Sequence, residues 1–338
     1  MDYIHRDESA VYYECGFSCD NALFLRLGSE AFFITDARYT TEAKERVRGA
    51  EVMEARDLFK AARELLKKSG AARLVYDPKE FSAQDLEQLR RLRTLSLIPK
   101  PDLSHDKRII KRPDEIEKIE RAVELGVQSF NEVARMLSES EGKSEKRLAF
   151  EAEAILRRYG ELELSFTPIL AFDENAAKPH ATPTDKPLKE GTLVLFDAGV
   201  KYERYCSDRT RTAHFDGAIN FGKEQRFKNA KVQRAYDLVK KAQEAAIEAA
   251  RPGMRAKELD AVARKIIDAS EFAGAFVHSL GHGVGLDIHE KPYINSKNEQ
   301  VLKEGMVFTI EPGIYIPGEF GIRIEDMVVL ESAGARVL

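Results

Sequence analysis

Asp197, Asp208, His282, Glu311 and Glu325 are the side chains of this sequence whose types and spacing could do chemistry together. Asp197 interrupts an apolar strand pattern in TLVLFDAG, and Asp208 follows eleven residues later in SDRTRT. A chain reversal at Tyr202–Glu203 would set the two aspartates opposite each other, roughly 5 Å apart at Cβ. A second reversal is written in Pro317-Gly318-Glu319-Phe320-Gly321; centred on Gly318, it sets Glu311 opposite Glu325. Both glutamates stand among apolar neighbours, where a lone carboxylate is costly to bury. Two adjacent acid pairs cannot all ionise unless cations compensate them. Four carboxylates and one imidazole fit two divalent ions sharing bridging carboxylates, the arrangement of two-metal hydrolysis. The oxygen and nitrogen donor set favours Mn2+, with Co2+, Fe2+ and Zn2+ as alternatives.

The imidazole comes from HSLGHGVGLDIHE, residues 278–290, which holds three of the seven histidines. His282 lies between Gly281 and Gly283, so the backbone beside its ring carries no Cβ and can pass close to another group. Alone, the stretch also reads as a glycine-rich turn with surface histidines; the acid pairs on either side favour a ligand. Asp208 as a surface acid paired with Arg209 or Arg211 would leave its register with Asp197 unexplained. Cys206 lies two residues before Asp208 and could approach the ions, but a core cysteine is the preferred reading.

The elements that must position these residues are legible as patterns. Ile116, Ile119, Val123, Phe130, Val133 and Leu137 mark one face of a helix opened by Pro113-Asp114-Glu115. A second helix runs from Ser144 to Tyr159, and strands follow at 166–172 and 193–198. The order then repeats, with helices over 224–250 and 256–269 broken by Pro252-Gly253, and strands at 307–316 and 322–330. Helix, helix, hairpin twice over implies two related halves that bring their hairpins side by side. Before residue 110, short apolar runs (22–27, 31–34, 73–76, 95–98) alternate with helical patterns over 57–68 and from Ser82, a small α/β domain. The proline-bearing, aperiodic stretch 98–113 reads as its linker, so the domains are expected at 1–110 and 111–338.

Composition narrows the function classes. The 53 basic and 57 acidic residues leave a net charge of -4 with no basic run, which offers neither nucleic acid nor a membrane surface an electrostatic partner. The start MDYIHRDES lacks the apolar core of a signal peptide, so a cytoplasmic location is expected. Three cysteines without paired spacing suit a reducing compartment, and Cys15 and Cys19 lack the second pair a zinc site would need.

With DAG, SDRTRT, HSLGHGVGLDIHE, TIEPG and RIED in this order, the sequence resembles the proline-specific pita-bread metallopeptidases, the aminopeptidase P and prolidase family. The likeness covers residues 113–338 and, more loosely, the amino-terminal part, where the chain begins late relative to the family. It implies an α/β creatinase-like amino-terminal domain, an α+β pita-bread catalytic domain and a homodimer. In ligand roles it makes Asp197 a ligand of one ion, Asp208 and Glu325 bridges, and His282 with Glu311 ligands of the other, Glu311 also shuttling the proton. His180 and His289 become catalytic histidines, His289 on the scissile carbonyl, and His278 a wall of the proline pocket. Arg323 and Tyr293 are expected at the substrate, with Arg323 also orienting a carboxylate. Tyr293 stands where prolidases commonly carry an arginine suited to a dipeptide's free carboxylate. The expected activity is therefore cleavage between an amino-terminal residue and a following proline in longer peptides, an Xaa-Pro aminopeptidase, with Xaa-Pro dipeptidase as the alternative. A metal-free creatinase-type hydrolase and a non-catalytic binding protein on the same fold are further readings.

Overall fold

The computed structural model describes residues 1–338 and divides them into two compact units, Met1–Arg108 and Ile109–Leu338. The first unit is built on a six-stranded mixed sheet in the order 51–54, 30–35, 22–27, 3–5, 73–76, 96–99. Its helices Glu8–Cys15 and Leu58–Ser69 are stopped by Gly16 and Gly70 at φ 74° and 70°, the left-handed cap that glycine adopts without cost. The stretch read as a linker holds a short helix, Leu103–Arg108, because Asp77 Oδ2 accepts from Leu103 N at 3.0 Å. That cap comes from a residue far away in sequence, which periodicity cannot reveal.

The second unit repeats one motif. Helices Pro113–Ser138 and Glu145–Leu156 precede the strands Ile169–Phe172, Leu193–Ala198 and Arg209–His214; helices Ala230–Ala249 and Ala256–Asp268 precede Gly281–Gly283, Val307–Ile310 and Asp326–Glu331. The two turns between paired helices are tied in the same way. Gly142 N donates to Leu188 O and Leu188 N to Lys143 O; Gly253 N donates to Leu302 O and Leu302 N to Met254 O. This shared bonding supports the two-half reading where the residues themselves do not match. The third helix starts at Ala230 rather than 224 because Asn229 caps it, accepting from Lys231 N at 2.9 Å.

Both hairpins bury their strands on two faces. Leu193–Ala198 is buried throughout and pairs on one side with Ile169–Phe172 and on the other with Arg209–His214. In the second hairpin one register holds from Val307↔Val329 through Ile310↔Asp326 and resumes at Gly313↔Arg323, so Glu311 and Glu325 face each other at the interruption, as the turn at Gly318 predicts. The hairpins then lie alongside each other: Glu325 N donates to Thr210 O at 3.1 Å, and Thr212 Oγ1 accepts from Arg323 N and donates to its carbonyl.

The first hairpin departs from expectation. It reverses at Glu203-Arg204, both at positive φ (44° and 72°), which places Thr210 and not Asp208 opposite Asp197. Two consecutive left-handed residues make the tight turn whose twist matches paired strands. Asp208 is therefore a diagonal neighbour of Asp197 on the same face, two residues along, and the pair still points one way.

Candidate metal centre and substrate cavity

The hairpins deliver their acids to one place. Single ligand atoms of Asp208, His282 and Glu325 all lie within 4.8 Å of one another. His282 Nε2 is 3.5 Å from Asp208 Oδ2 and 3.4 Å from Glu311 Oε1. Burial pushes the carboxyls of Asp208 and Glu325 well above the usual range, reinforced by neighbouring carboxylates, and pushes Glu311 up to about 8. Such a cluster is at rest only with protons or cations among it.

His282 is prepared as a ligand. Its Nδ1 lies 3.1 Å from Gly283 O, which can only accept, so Nδ1 carries the proton and Nε2 turns its lone pair to the space between the carboxylates, where a cation could take it. Burial, then the neighbouring His289, holds the ring down to about 4, so it is neutral near pH 7. Glycine at 281 and 283 is a steric requirement: a Cβ would come 1.9 Å from Thr309 O at the first and 2.2 Å from Lys291 O at the second.

The acids are aimed by hydroxyls and one guanidinium. Thr210 Oγ1 donates to Glu325 Oε2 at 2.7 Å and accepts from Arg323 Nε at 3.0 Å; Thr309 Oγ1 donates to Glu311 Oε1 at 3.2 Å. Arg323 Nη2 donates to Asp197 Oδ2 at 2.7 Å, while Asp197 Oδ1 is buried without a hydrogen-bond partner. That orphaned oxygen, three raised carboxyls and one neutral imidazole are a donor set that suits divalent cations. Arg211, a considered partner for Asp208, instead pairs with Asp326 at 2.5 Å, and Asp208 is only 6% exposed.

A cavity of about 620 Å³ opens over these acids. Asp197, Asp208, His282, Glu311, Glu325, His180, His278, His289, Tyr293 and Arg323 all line it, so the expected ligands, catalytic groups and substrate contacts share one cavity. The histidines differ in freedom. His180 and His289 are exposed, and the His289 ring stands 4.3 Å from that of His282. His278 is committed: its Nδ1 donates to Ser279 O, and its Nε2 accepts from Tyr315 OH at 2.9 Å. Tyr293 lies opposite His282 in the strand pair and is 38% exposed.

Arg323 lines the cavity, but it is buried and its nitrogens are spent on Thr210, Asp197, Pro179 O and Tyr315 OH, so its visible work is to orient a carboxylate. Tyr315 and Thr210 were missed from the sequence. The register of the second hairpin sets Gly313 opposite Arg323, and Tyr315 two residues on shares that face, so the signal for Tyr315 lay in the turn already identified.

Cys206 is fully buried, with Sγ 3.8 Å from Leu286 O and outside the cavity lining. The irregular step at Ser207–Asp208 breaks the alternation that would have aimed it at the acids. Cys206→Ala is expected to leave the bound metal stoichiometry and the hydrolytic rate within about twofold, a buried methyl-sized loss acting on stability alone. Metal analysis beside a rate measurement checks this, and loss of an ion would place the thiol in the centre.

Residues 117–332 match metallopeptidase family M24, and residues 3–110 match the creatinase/prolidase N-terminal domain. A Pyrococcus furiosus protein named Xaa-Pro dipeptidase is 45% identical over 237 residues, 70% of this chain and 65% of that protein. The chain thus spans slightly less than two thirds of the length of the curated relatives it matches. Among solved structures, an Xaa-Pro dipeptidase from Bacillus anthracis superposes with a TM-score of 0.91 at 29% identity, covering 99% of this chain and 92% of the other. An X-Pro aminopeptidase from Thermotoga maritima does so with a TM-score of 0.89 at 32% identity, covering 99% and 94%. The second unit therefore has the pita-bread fold and the first the creatinase-type α/β fold. No helix is long and apolar enough to cross a membrane.

Proposed function

This chain belongs to metallopeptidase family M24, with a creatinase/prolidase N-terminal domain ahead of it, and on that premise we propose that it is an Xaa-Pro dipeptidase. The observation that carries the hydrolytic reading is the convergence of Asp208, His282 and Glu325 on one point, with Asp197 and Glu311 beside them, at the floor of a cavity. The dipeptide assignment leans on the relatives' names and replaces the aminopeptidase expectation as the leading reading.

In this reading Asp197, Asp208, His282, Glu311 and Glu325 hold two divalent ions, with manganese the expected species for a set of hard oxygens and one imidazole. The ions would supply Lewis-acid polarisation of the carbonyl and a nucleophile at neutral pH. Glu311 takes the proton of the attacking water and passes it to the proline nitrogen as the C–N bond breaks, leaving a carboxylate and a secondary amine. His289, exposed in the cavity, donates to the carbonyl oxygen as charge develops there. His180 lines the same cavity and faces the same substrate. His278, neutral and tied to Tyr315, forms a fixed wall for the proline ring.

One observation favours the second reading, cleavage of longer Xaa-Pro peptides. The cavity lining holds no lysine and a single arginine, Arg323, whose nitrogens are all engaged, so a dipeptide's free carboxylate meets no uncommitted lysine or arginine there. Hydrolysis of Ala-Pro and Ala-Pro-Ala by metal-stripped protein with manganese added back separates them. The dipeptidase reading expects Ala-Pro to be cleaved at least about tenfold more efficiently. The reverse order would restore the aminopeptidase, and cleavage of neither would remove the proline-peptidase reading.

A further inference from the structure

We propose that Asp260 and Arg264, on the helix Ala256–Asp268, form a staple that positions the His278 side of the cavity; what that cavity does rests on the peptidase reading above. Residues 269–280, between this helix and the strand Gly281–Gly283, contain no helix or strand of their own, yet they carry His278 and lead directly into His282. Something else must fix them.

Beside the backbone bonds from Tyr315 N to Ala275 O and from Leu280 N to Ile294 O, the fixing atoms are those of the pair. Arg264 meets Asp260 in a two-pronged ion pair, Nε to Oδ2 at 2.8 Å and Nη2 to Oδ1 at 2.9 Å. The same guanidinium donates from Nη1 to Phe276 O at 2.8 Å and from Nη2 to His278 O at 2.9 Å, and stacks 4.3 Å from the centre of the Phe276 ring. Asp260, fully buried, also accepts from Leu280 N at 3.2 Å. Two backbone carbonyls before Ser279 are thus held by one pair of side chains, and Asp260 shares the Leu280 amide with Ile294 O, which accepts from it at 2.9 Å.

An i,i+4 pair of this kind on an exposed helix face contributes little and is lost without consequence. Here it reaches the site by two routes. Leu280 O accepts from Glu311 N at 2.8 Å, which fixes the backbone of a metal-site glutamate. His278 Nδ1 donates to Ser279 O at 2.8 Å, and Nε2 accepts from Tyr315 OH, whose oxygen accepts from Arg323, the partner of Asp197. A lysine at 264 would keep the charge but not the planar fork that serves two carboxylate oxygens and two carbonyls together. Neither Asp260 nor Arg264 touches the reacting atoms, so both are positioning residues.

The test compares wild type, Arg264→Lys and Asp260→Asn by hydrogen–deuterium exchange over residues 276–281, by metal content, and by KM and kcat for Ala-Pro with manganese-loaded protein. The staple predicts exchange at least about tenfold faster in that segment alone. It also predicts retention of two ions and an about tenfold rise in KM with kcat changed much less. Wild-type exchange in both variants, or a parallel fall of activity and folded fraction with KM unchanged, would overturn it. Should the wild type cleave no Xaa-Pro peptide, the reaction reading fails by itself; the exchange arm then decides the staple, acceleration upholding it and wild-type exchange refuting it.

Discussion

Asp208→Ala is expected to lose at least one of two bound manganese equivalents and to cleave Xaa-Pro peptides at least about a thousandfold more slowly than wild type. The reasoning is positional. Asp208 is the one aspartate in the tight group with His282 and Glu325, and its carboxyl is pushed up by burial and then by the charges of Glu325, Asp197 and Glu311. Removing it takes away one of the three ligand atoms that lie within 4.8 Å of one another and leaves His282 and Glu325 without their aspartate. The loss should appear in kcat as well as KM, because substrate and transition state both need the ions. Asp208→Asn keeps the volume and loses the charge, so it should fall with the alanine variant. In the stripped state the order reverses: without cations Asp208 is a buried carboxyl whose ionised form burial and neighbouring carboxylates disfavour, so stripped Asp208→Ala should melt no lower than stripped wild type. Metal analysis, rates and melting curves on the same preparations check all three statements. Two retained ions with activity within tenfold of wild type would remove Asp208 from the centre.

The parts of this site that were legible in the sequence are those written in local signals. The Pro317–Gly321 turn sets the register of the second hairpin, and the paired glutamates follow from it. The first hairpin was harder, since Glu203 and Arg204 do not advertise the positive φ both adopt, and a register two residues away keeps the same face inward. That tolerance is why Asp197 and Asp208 were recognisable as a set with their cross-strand pairing misjudged. Arg323 carried the opposite risk: its place on the strand was clear, but whether it meets substrate or Asp197 depends on Tyr315, Thr210 and Pro179, which converge from three separate segments. The Asp260–Arg264 staple was invisible because two of its acceptors are backbone carbonyls, which any sequence has. Patterning reveals which faces turn inward; it does not reveal which buried polar groups find each other there.

Removal of the ions is expected to give a protein whose stability falls as pH rises from about 6.5 to 8, a window the carboxyls and histidines together define. In the stripped protein Glu311 sits up to about 8, above its ordinary 4.5, chiefly through burial, and Asp208 and Glu325 are raised as well. A raised carboxyl binds its proton more tightly in the folded state, so its stabilising contribution is full below the unfolded value and is lost as pH climbs through the folded one. The histidines act oppositely. Burial holds His278 down to about 3 and His282 down to about 4, from 6.5, so their neutral folded forms add stability as pH rises towards 6.5 and nothing beyond it. Below 6.5 the two groups offset each other; above it the carboxyls act alone. From Glu311 the loss over that window is about 2 kcal/mol, at 1.36 kcal/mol per unit. With Asp208 and Glu325 adding to it, Tm should fall by roughly 4–8 °C. In manganese-loaded protein the cations neutralise the same carboxylates, so no such decline is expected between these pH values. Melting curves at several pH values, with chelator and with manganese, read the difference directly, and stripped Glu311→Gln should show a shallower decline than stripped wild type. A stripped protein whose Tm is flat or rising across this interval would mean that the acids are not held together as charges without their ions, and the two-ion reading would lose its electrostatic basis.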